Sequence, residues 1–267
     1  DRTAEFAAAA GAVVRREPWP GKGNVVRRMF ADVDADVYLL VDGDGTYDAA
    51  AAPLMVRRLL EERLDMVVAT RRGVHADAHR AGHGVGNRLF NCLYRQVFGP
   101  GFRDIFSGYR ALSRRFVKSF PAVSGGFEIE TEMSVHASQL RLPVAEIEAD
   151  YGARPEGSSS KLETFRDAFR ILAMMILLYK EVRPARFFGY LAAALAATAT
   201  ILGIPLIQTW VETGLVPRFP TAILAMGLIV LAGIALTCGL ILDSVARGRL
   251  EQKRFAYLAQ DGDRAAR

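Results

Sequence analysis

Two long stretches in the last third of the chain, 187–211 and 219–242, contain no charged residue. Each supplies the roughly 20 apolar residues that a helix rising ~1.5 Å per residue needs to cross ~30 Å of hydrocarbon, and neither keeps the polar stripe of a helix on a soluble domain. The pattern predicts two transmembrane helices. The linker between them, 212–218, is too short for a domain and fits a helical hairpin whose ends return to the same side. Lys180, Arg183 and Arg186 precede the first stretch and Arg247, Arg249, Lys253 and Arg254 follow the second, whereas the linker holds only Arg218. The bias of basic residues toward the cytoplasmic side then places 1–186 and the tail 243–267 in the cytoplasm, in a multi-pass protein of the inner membrane.

From residue 1 to about 151 the pattern changes to short β-rich runs alternating with helical spacing. Strands are expected at 12–15, 37–41, 66–69 and 144–149, and helices at 5–10, 24–31, 51–63, 85–98 and 128–140. That alternation reads as an α/β domain with a largely parallel sheet. A Pro/Gly/Ser-rich stretch, 153–160, closes it. Beyond lie Phe165, Phe169, Leu172, Ile176 and Tyr179 at helical spacing, interleaved with Arg166, Arg170 and Lys180. An amphipathic helix at the bilayer surface is expected there, with a helix packed on the domain as the alternative. The expected organisation is a catalytic domain over 1–161, a juxtamembrane helix over 162–186, spans at 187–211 and 219–242, and the tail 243–267.

Composition narrows the partners. The net charge of +5 suits a surface beside anionic lipid and phosphorylated ligands. No basic-aromatic nucleic-acid module is evident, so nucleic acid is excluded as a partner. Cys92 and Cys238, far apart and one of them in an apolar run, read as reduced structural thiols. The chain opens at Asp1 without a methionine, and the expectation is that it begins inside a longer protein.

The strongest chemical signal is the run from Val37 to Asp48, V-Y-L-L-V-D-G-D-G-T-Y-D. A hydrophobic strand ends there in Asp42 and Asp44, with Asp48 after a turn. Carboxylates at the carboxyl edge of such a strand sit where open α/β sheets bind ligands. Two of them around a glycine can hold a hard cation, magnesium or manganese, which in turn neutralises a nucleotide diphosphate. A plain turn is the structural alternative. Gly21 and Gly23 would let the backbone approach a nucleotide while Lys22 supplies a cation. Asp104, followed by Ser107, Gly108 and Arg110, brings a carboxylate and a phosphate-capturing guanidinium to one cleft. Arg154 and Lys161 on the Gly/Ser-rich loop are placed to clamp an acceptor phosphate, or else are solvated linker charges. Glu128, Glu130 and Glu132 open a helix and complement its dipole, with one of them a candidate for the site. His75, His79 and His83 have helical spacing for zinc, but the surrounding glycines favour a loop. Arg71, Arg72, Arg80 and Arg88 flank that loop, facing either phosphate or water.

These segments resemble the inverting GT-A glycosyltransferases of family 2, and within it the polyprenyl-phosphate sugar synthases that include dolichyl-phosphate mannose synthase and bactoprenol glucosyltransferases. Asp1-Arg2-Thr3 is similar to the end of the family's D-N-x-S-x-D-x-T, and Gly21-Lys22-Gly23-Asn24 to its G-K-G-x-A. Residues 42–48 match D-x-D-G-T-Y-D, 104–110 look like D-x-x-S-G-F/Y-R, and 151–161 resemble Y-x-x-R-x-x-G-x-S-K. The resemblance implies a GT-A (Rossmann-like) catalytic domain followed by the amphipathic helix and the transmembrane hairpin. It also implies transfer of a hexose, with inversion, from a UDP- or GDP-sugar to a polyprenyl phosphate at the cytoplasmic face. In that reading Asp42 and Asp44 hold Mg2+ or Mn2+. Asp1, Lys22, Arg154 and Lys161 contact donor or acceptor phosphates, Asp104 orients sugar or acceptor, and Arg110 holds phosphate. The family's first strand, with its P-x-x-N-E, would lie upstream of Asp1, so the chain reads as N-terminally truncated. A two-helix hairpin can also pair with copies of itself.

Three rivals remain. The D-x-D-G-T at 42–46 also fits a haloacid-dehalogenase-like phosphatase, but no convincing later lysine and acidic pair accompanies it. A processive polysaccharide synthase would carry Q-x-x-R-W, whose nearest echo, Gln208-Thr209-Trp210, lacks the arginine. A non-catalytic membrane scaffold would have no need of the intact aspartates.

Overall fold

The computed structural model describes residues 2–72, 102–126, 128–152, 173 and 176–260. The chain divides into two compact units, one formed by Asp1–Thr164 with Lys253–Arg267 and the other by Phe165–Gln252.

The first unit is built on a four-stranded sheet in the order β1-β3-β2-β4, with β1 Val37–Leu40, β2 Met66–Arg72, β3 Arg110–Ser113 and β4 Val144–Asp150. β2 and β4 pair in parallel from Met66↔Val144 to Arg72↔Asp150, while β3 lies antiparallel to both β1 and β2. The sheet is therefore mixed, which corrects the expectation of a largely parallel one. β3 was invisible in the sequence because R-A-L-S is short and starts with an arginine; what makes it a strand is burial between two neighbours. Met66, Val67, Val68 and Ala69 are all fully buried, as expected of a strand covered on both faces.

On one face, Val67, Ala69, Tyr109, Ala111, Ile147 and Ala149 pack against Met55 and Leu59 of α3 (Ala52–Glu61). Met55 and Leu59 are four residues apart and so share one side of that helix. The other face receives α4 (Arg114–Ser119) and α5 (Ile129–Leu140), whose Phe116, Ile129, Met133 and His136 are buried. Ser113 caps α4 by accepting from the Phe116 amide at 3.1 Å. α1 (Thr3–Ala9) and α2 (Lys22–Asp32) precede the sheet, and α2 buries Val26 and Phe30.

Helices thus form where 5–10, 24–31, 51–63 and 128–140 were expected, whereas 85–98 lies outside the described residues. The strand expected at 12–15 does not form. Val13 and Val14 are exposed, and no strand pairs with them among the described residues.

α6 (Pro184–Thr213) and α7 (Phe219–Leu258), which make up most of the second unit although the last turns of α7 belong to the first, are each long and apolar enough to cross a membrane. They meet through Ala192, Ala232 and Ala235, with Phe188, Leu195 and Ala196 around them. Small side chains allow that close approach. Most large apolar residues of both helices, including Ile207, Trp210, Met226 and Leu240, are exposed. α7 does not stop at 242. At 40 residues, about 60 Å, it continues through the charged part of the expected tail to Leu258. Of the expected amphipathic helix, 176–182 is helical, and 162–172 lies outside the described residues.

Candidate active site

The carboxyl end of β1 places the acidic turn. Thr46, buried at its centre, fixes Asp44: its amide and hydroxyl both donate to Asp44 Oδ1, at 3.2 and 2.5 Å. Gly45 adopts φ +73°, a conformation that favours glycine and lets the turn close. Asp48 accepts from the Ala50 amide at 2.9 Å and so caps the 3-10 turn Ala49–Ala51. That leaves Asp42 and Asp44 as the half-buried pair facing the turn.

Lys22, the first residue of α2, sets its ammonium between Asp42 Oδ1 and Glu130 Oε1, forming an ion pair with each. Burial alone would depress that ammonium, but Glu130 and Asp42 on either side hold it above the ordinary lysine value. Glu130 is delivered by the first turn of α5 and is almost wholly buried, with no hydrogen-bond partner for its Oε2 among the described residues. Of the three glutamates that open this helix, Glu130 therefore belongs to the site. Glu132 instead accepts from the Val123 and Ser124 amides at 3.0 and 2.8 Å.

The two glycines around Lys22 have a different use from the one expected. The Gly23 and Asn24 amides donate to the Gly126 and Gly125 carbonyls, at 3.1 and 3.3 Å. A side chain at Gly21 or Gly23 would run into the backbone of 124–125. The close approach they permit is between α2 and the segment before α5, and it is this approach that brings Lys22 to Glu130.

The 104–110 segment closes the other side. A side chain at Gly108 would press on Asp42 Oδ2 and Lys22 Nζ, so this segment runs directly against the acidic turn. Asp104 is buried and held in a two-pronged pair with Arg71, at 2.7 and 2.9 Å. Glu146 on β4 accepts from the Arg103 and Asp104 amides, at 2.7 and 3.3 Å, and fixes where the segment starts.

Arg110 departs from expectation. It is completely buried, and its guanidinium donates to the Ser107 and Ile105 carbonyls, both at 2.9 Å, and to Ser134 Oγ at 3.0 Å. As the first residue of β3 it points to the α5 face, where it braces the loop it terminates; the geometry does not present it to a phosphate. Asp1, Arg154, Lys161, His75, His79 and His83 lie outside the described residues.

The donor set at the turn fits a hard divalent cation: two half-buried carboxylates two residues apart, around Gly43, beside which space is open. No group of three or more His, Cys, Asp or Glu gathers among the described residues. The protein's share would thus be two carboxylates, with diphosphate oxygens and water completing the shell, a usual arrangement for magnesium. Tyr47 and Tyr151 stand in the matched motifs without a role assigned to them, Glu146 was not singled out, and the partner of Arg71 was left open. For Tyr47 the signal was available, since it stands between two residues of the acidic motif.

Comparison with known proteins bears on this arrangement. The signature of glycosyl transferase family 2 matches residues 1–120. An uncharacterized protein of Shigella flexneri is 48% identical over 156 residues, which is 58% of this chain and 96% of that protein. The glycosyltransferase AglJ of Haloferax volcanii is 36% identical over 208 residues, 77% of this chain and 68% of AglJ. Among solved structures, glucosyl-3-phosphoglycerate synthase of Mycobacterium tuberculosis with phosphoglyceric acid superposes with a TM-score of 0.52 at 24% identity. The match covers 66% of this chain and 64% of that one, and bears on the fold. With a GT-A-like α/β fold and relatives of this kind, the chain is a glycosyltransferase and belongs to glycosyl transferase family 2.

Proposed function

We propose that this glycosyltransferase moves a hexose from a UDP- or GDP-linked donor to a polyprenyl phosphate at the cytoplasmic face of a membrane, with inversion. The observation that carries the reading is the pairing of Asp42 and Asp44 at the end of β1 with Lys22 held against Asp42. A donor diphosphate seated there meets two carboxylates suited to Mg2+ or Mn2+ and one ammonium. The structure of glucosyl-3-phosphoglycerate synthase with Mn2+ and UDP-glucose, similar in fold at a TM-score of 0.52, accords with such a site. When bound, the metal would supply charge to stabilise the departing diphosphate.

The acceptor oxygen forms a bond to the anomeric carbon as the bond to the diphosphate oxygen breaks. A phosphate acceptor is already ionised near neutral pH, so the task of the protein is orientation and charge, with little need for a strong base. Lys22 lies beside Asp42, where its ammonium can face the diphosphate while its pairing with Glu130 is kept. Asp104, fixed by Arg71, offers a rigid carboxylate to orient the sugar, through its hydroxyls, or the acceptor. Arg110 acts by bracing the loop. Asp1, Arg154 and Lys161 are proposed as further phosphate contacts. The choice of a lipid acceptor is supported by α6 and α7, each long and apolar enough to cross a membrane, and by the basic residues that flank the two apolar stretches, a bias that favours a cytoplasmic first unit.

The test is transfer of radiolabelled sugar from a panel of UDP- and GDP-sugars to undecaprenyl phosphate in detergent, with Mn2+, with EDTA, and with Asp44→Asn. Lipid-linked product that disappears with chelator and in the variant is the expected result. Product formed only with water-soluble acceptors would remove the lipid from the proposal, and phosphate release without transfer would remove the reaction.

A further inference from the structure

Two segments, 107–109 and the stretch around Tyr151, converge on one side chain that the transfer chemistry above does not use. Tyr47 lies between the acidic turn and the rest of the sheet. Its backbone forms an isolated antiparallel bridge with Tyr151, supported by the Gly152 amide donating to the Thr46 carbonyl at 2.8 Å. Its ring meets Tyr109 and Tyr151 edge-on, with centroids 5.4 and 5.0 Å apart. Its hydroxyl accepts from the Gly108 amide at 3.0 Å and lies 3.4 Å from Ser107 Oγ, which itself donates to the Ala69 carbonyl of β2 at 2.5 Å. Tyr151 in turn sits under the Arg71 guanidinium, 5.7 Å from its ring centre, and Arg71 holds Asp104.

We infer that Tyr47 is a positioning residue: through its hydroxyl and ring it holds the segment carrying Asp104 in register with the turn carrying Asp42 and Asp44. Edge-on ring packing alone would be met by phenylalanine. The hydroxyl adds what a ring cannot, an acceptor for the Gly108 amide at the point where that segment runs against Asp42 and Lys22. Without it the amide loses its partner at that point, and the ties that remain lie on either side of it, from Ser107 to Ala69 and from Ala69 to Tyr109. A backbone amide deprived of a neutral hydrogen bond in such a place gains about tenfold in opening. The donor turn keeps its own ties, Thr46 to Asp44 and Lys22 to Asp42, so the loss falls on alignment between the two sides.

This inference rests on the transfer reaction proposed above only for its kinetic arm. The test uses the full chain in detergent and compares wild type with Tyr47→Phe by amide hydrogen exchange, thermal unfolding, binding of UDP with Mn2+, and transfer kinetics. Exchange of the peptide covering 104–110 about tenfold faster is expected, with peptides from β1 and α2 unchanged and the melting midpoint within about 2 °C. UDP affinity stays within about twofold, while kcat falls about tenfold at unchanged donor KM. Unchanged exchange at 104–110 overturns the inference, as does a uniform rise in exchange with a lower melting midpoint, which would make Tyr47 a general stability residue. The exchange result decides the matter even in a preparation without measurable transfer, so failure of this inference is separable from failure of the transfer reading.

Discussion

Replacing Arg110 separates two accounts of the same motif. The sequence expectation makes it a phosphate ligand, whereas the structure makes it an internal brace, fully buried, with its guanidinium donating to Ser107 O, Ile105 O and Ser134 Oγ. Hydrogen bonds from a charged donor contribute about 1.5–3 kcal/mol each, and a buried acceptor left unpaired costs about 1–3 kcal/mol. Three such contacts share one group and do not add fully, so Arg110→Met is expected to cost about 4–6 kcal/mol. Against a domain stability of roughly 5–15 kcal/mol that is a large fraction. At about 2–4 °C per kcal/mol for a unit of this size, the melting midpoint of the full chain in detergent falls by roughly 8–24 °C. Arg110→Lys keeps the charge but not the fork, and should lose about half as much. The assay is thermal unfolding followed by intrinsic fluorescence, with transfer activity measured on the same preparations below the midpoint. An Arg110→Met protein that melts like wild type yet binds no phosphorylated acceptor would refute the bracing role and restore the original expectation.

Other perturbations follow from the same contacts. Gly108→Ala pushes a methyl group onto Asp42 Oδ2 and Lys22 Nζ; it should weaken UDP–Mn2+ binding at least tenfold by calorimetry with a melting change under about 3 °C, and unaltered binding would contradict the packing described. His136 is held by burial at a pKa of about 3, below its ordinary 6.5. Its neutral ring therefore contributes stability that is complete above about pH 6.5 and is lost as pH falls toward 3, by up to about 5 kcal/mol at 1.36 kcal/mol per unit. Unfolding free energies measured from pH 7 to 4 should fall more steeply in wild type than in His136→Phe, and parallel curves would count against it. Tyr257→Phe removes a hydroxyl that donates to buried Asp65 Oδ2 at 2.8 Å, leaving Ser113 Oγ at 2.6 Å and Arg115 at 3.4 Å as partners. A loss of about 1–2 kcal/mol in denaturant unfolding is expected, and none would show that water replaces the phenol.

What could be seen in the sequence was whatever local pattern controls. The run V-Y-L-L-V ending in D-G-D places two carboxylates at a strand end whatever surrounds it, and Asp42 and Asp44 stand there. The apolar stretches at 187–211 and 219–242 likewise become α6 and α7, because length and composition alone decide them. Features that depend on burial were out of reach. An arginine written after S-G-Y looks like a surface cation, and only the packing of α5 over β3 turns Arg110 inward. Glu128, Glu130 and Glu132 cannot be ranked by spacing within one helical turn; the approach of Gly23 to Gly126 selects Glu130 by bringing Lys22 to it. Asp104 was marked as a site residue, but its tie to Arg71 spans 33 positions of sequence that no periodicity links.

The most direct measurement is Mn2+ binding by electron paramagnetic resonance in the presence of UDP, for the wild-type chain and for Asp42→Asn and Asp44→Asn. The arrangement at the end of β1 predicts one nucleotide-dependent Mn2+ in wild type and at least a tenfold loss of affinity in each variant, with folding retained. Equal Mn2+ binding in all three proteins would show that the acidic turn does not hold the metal, and the account of donor binding would be wrong.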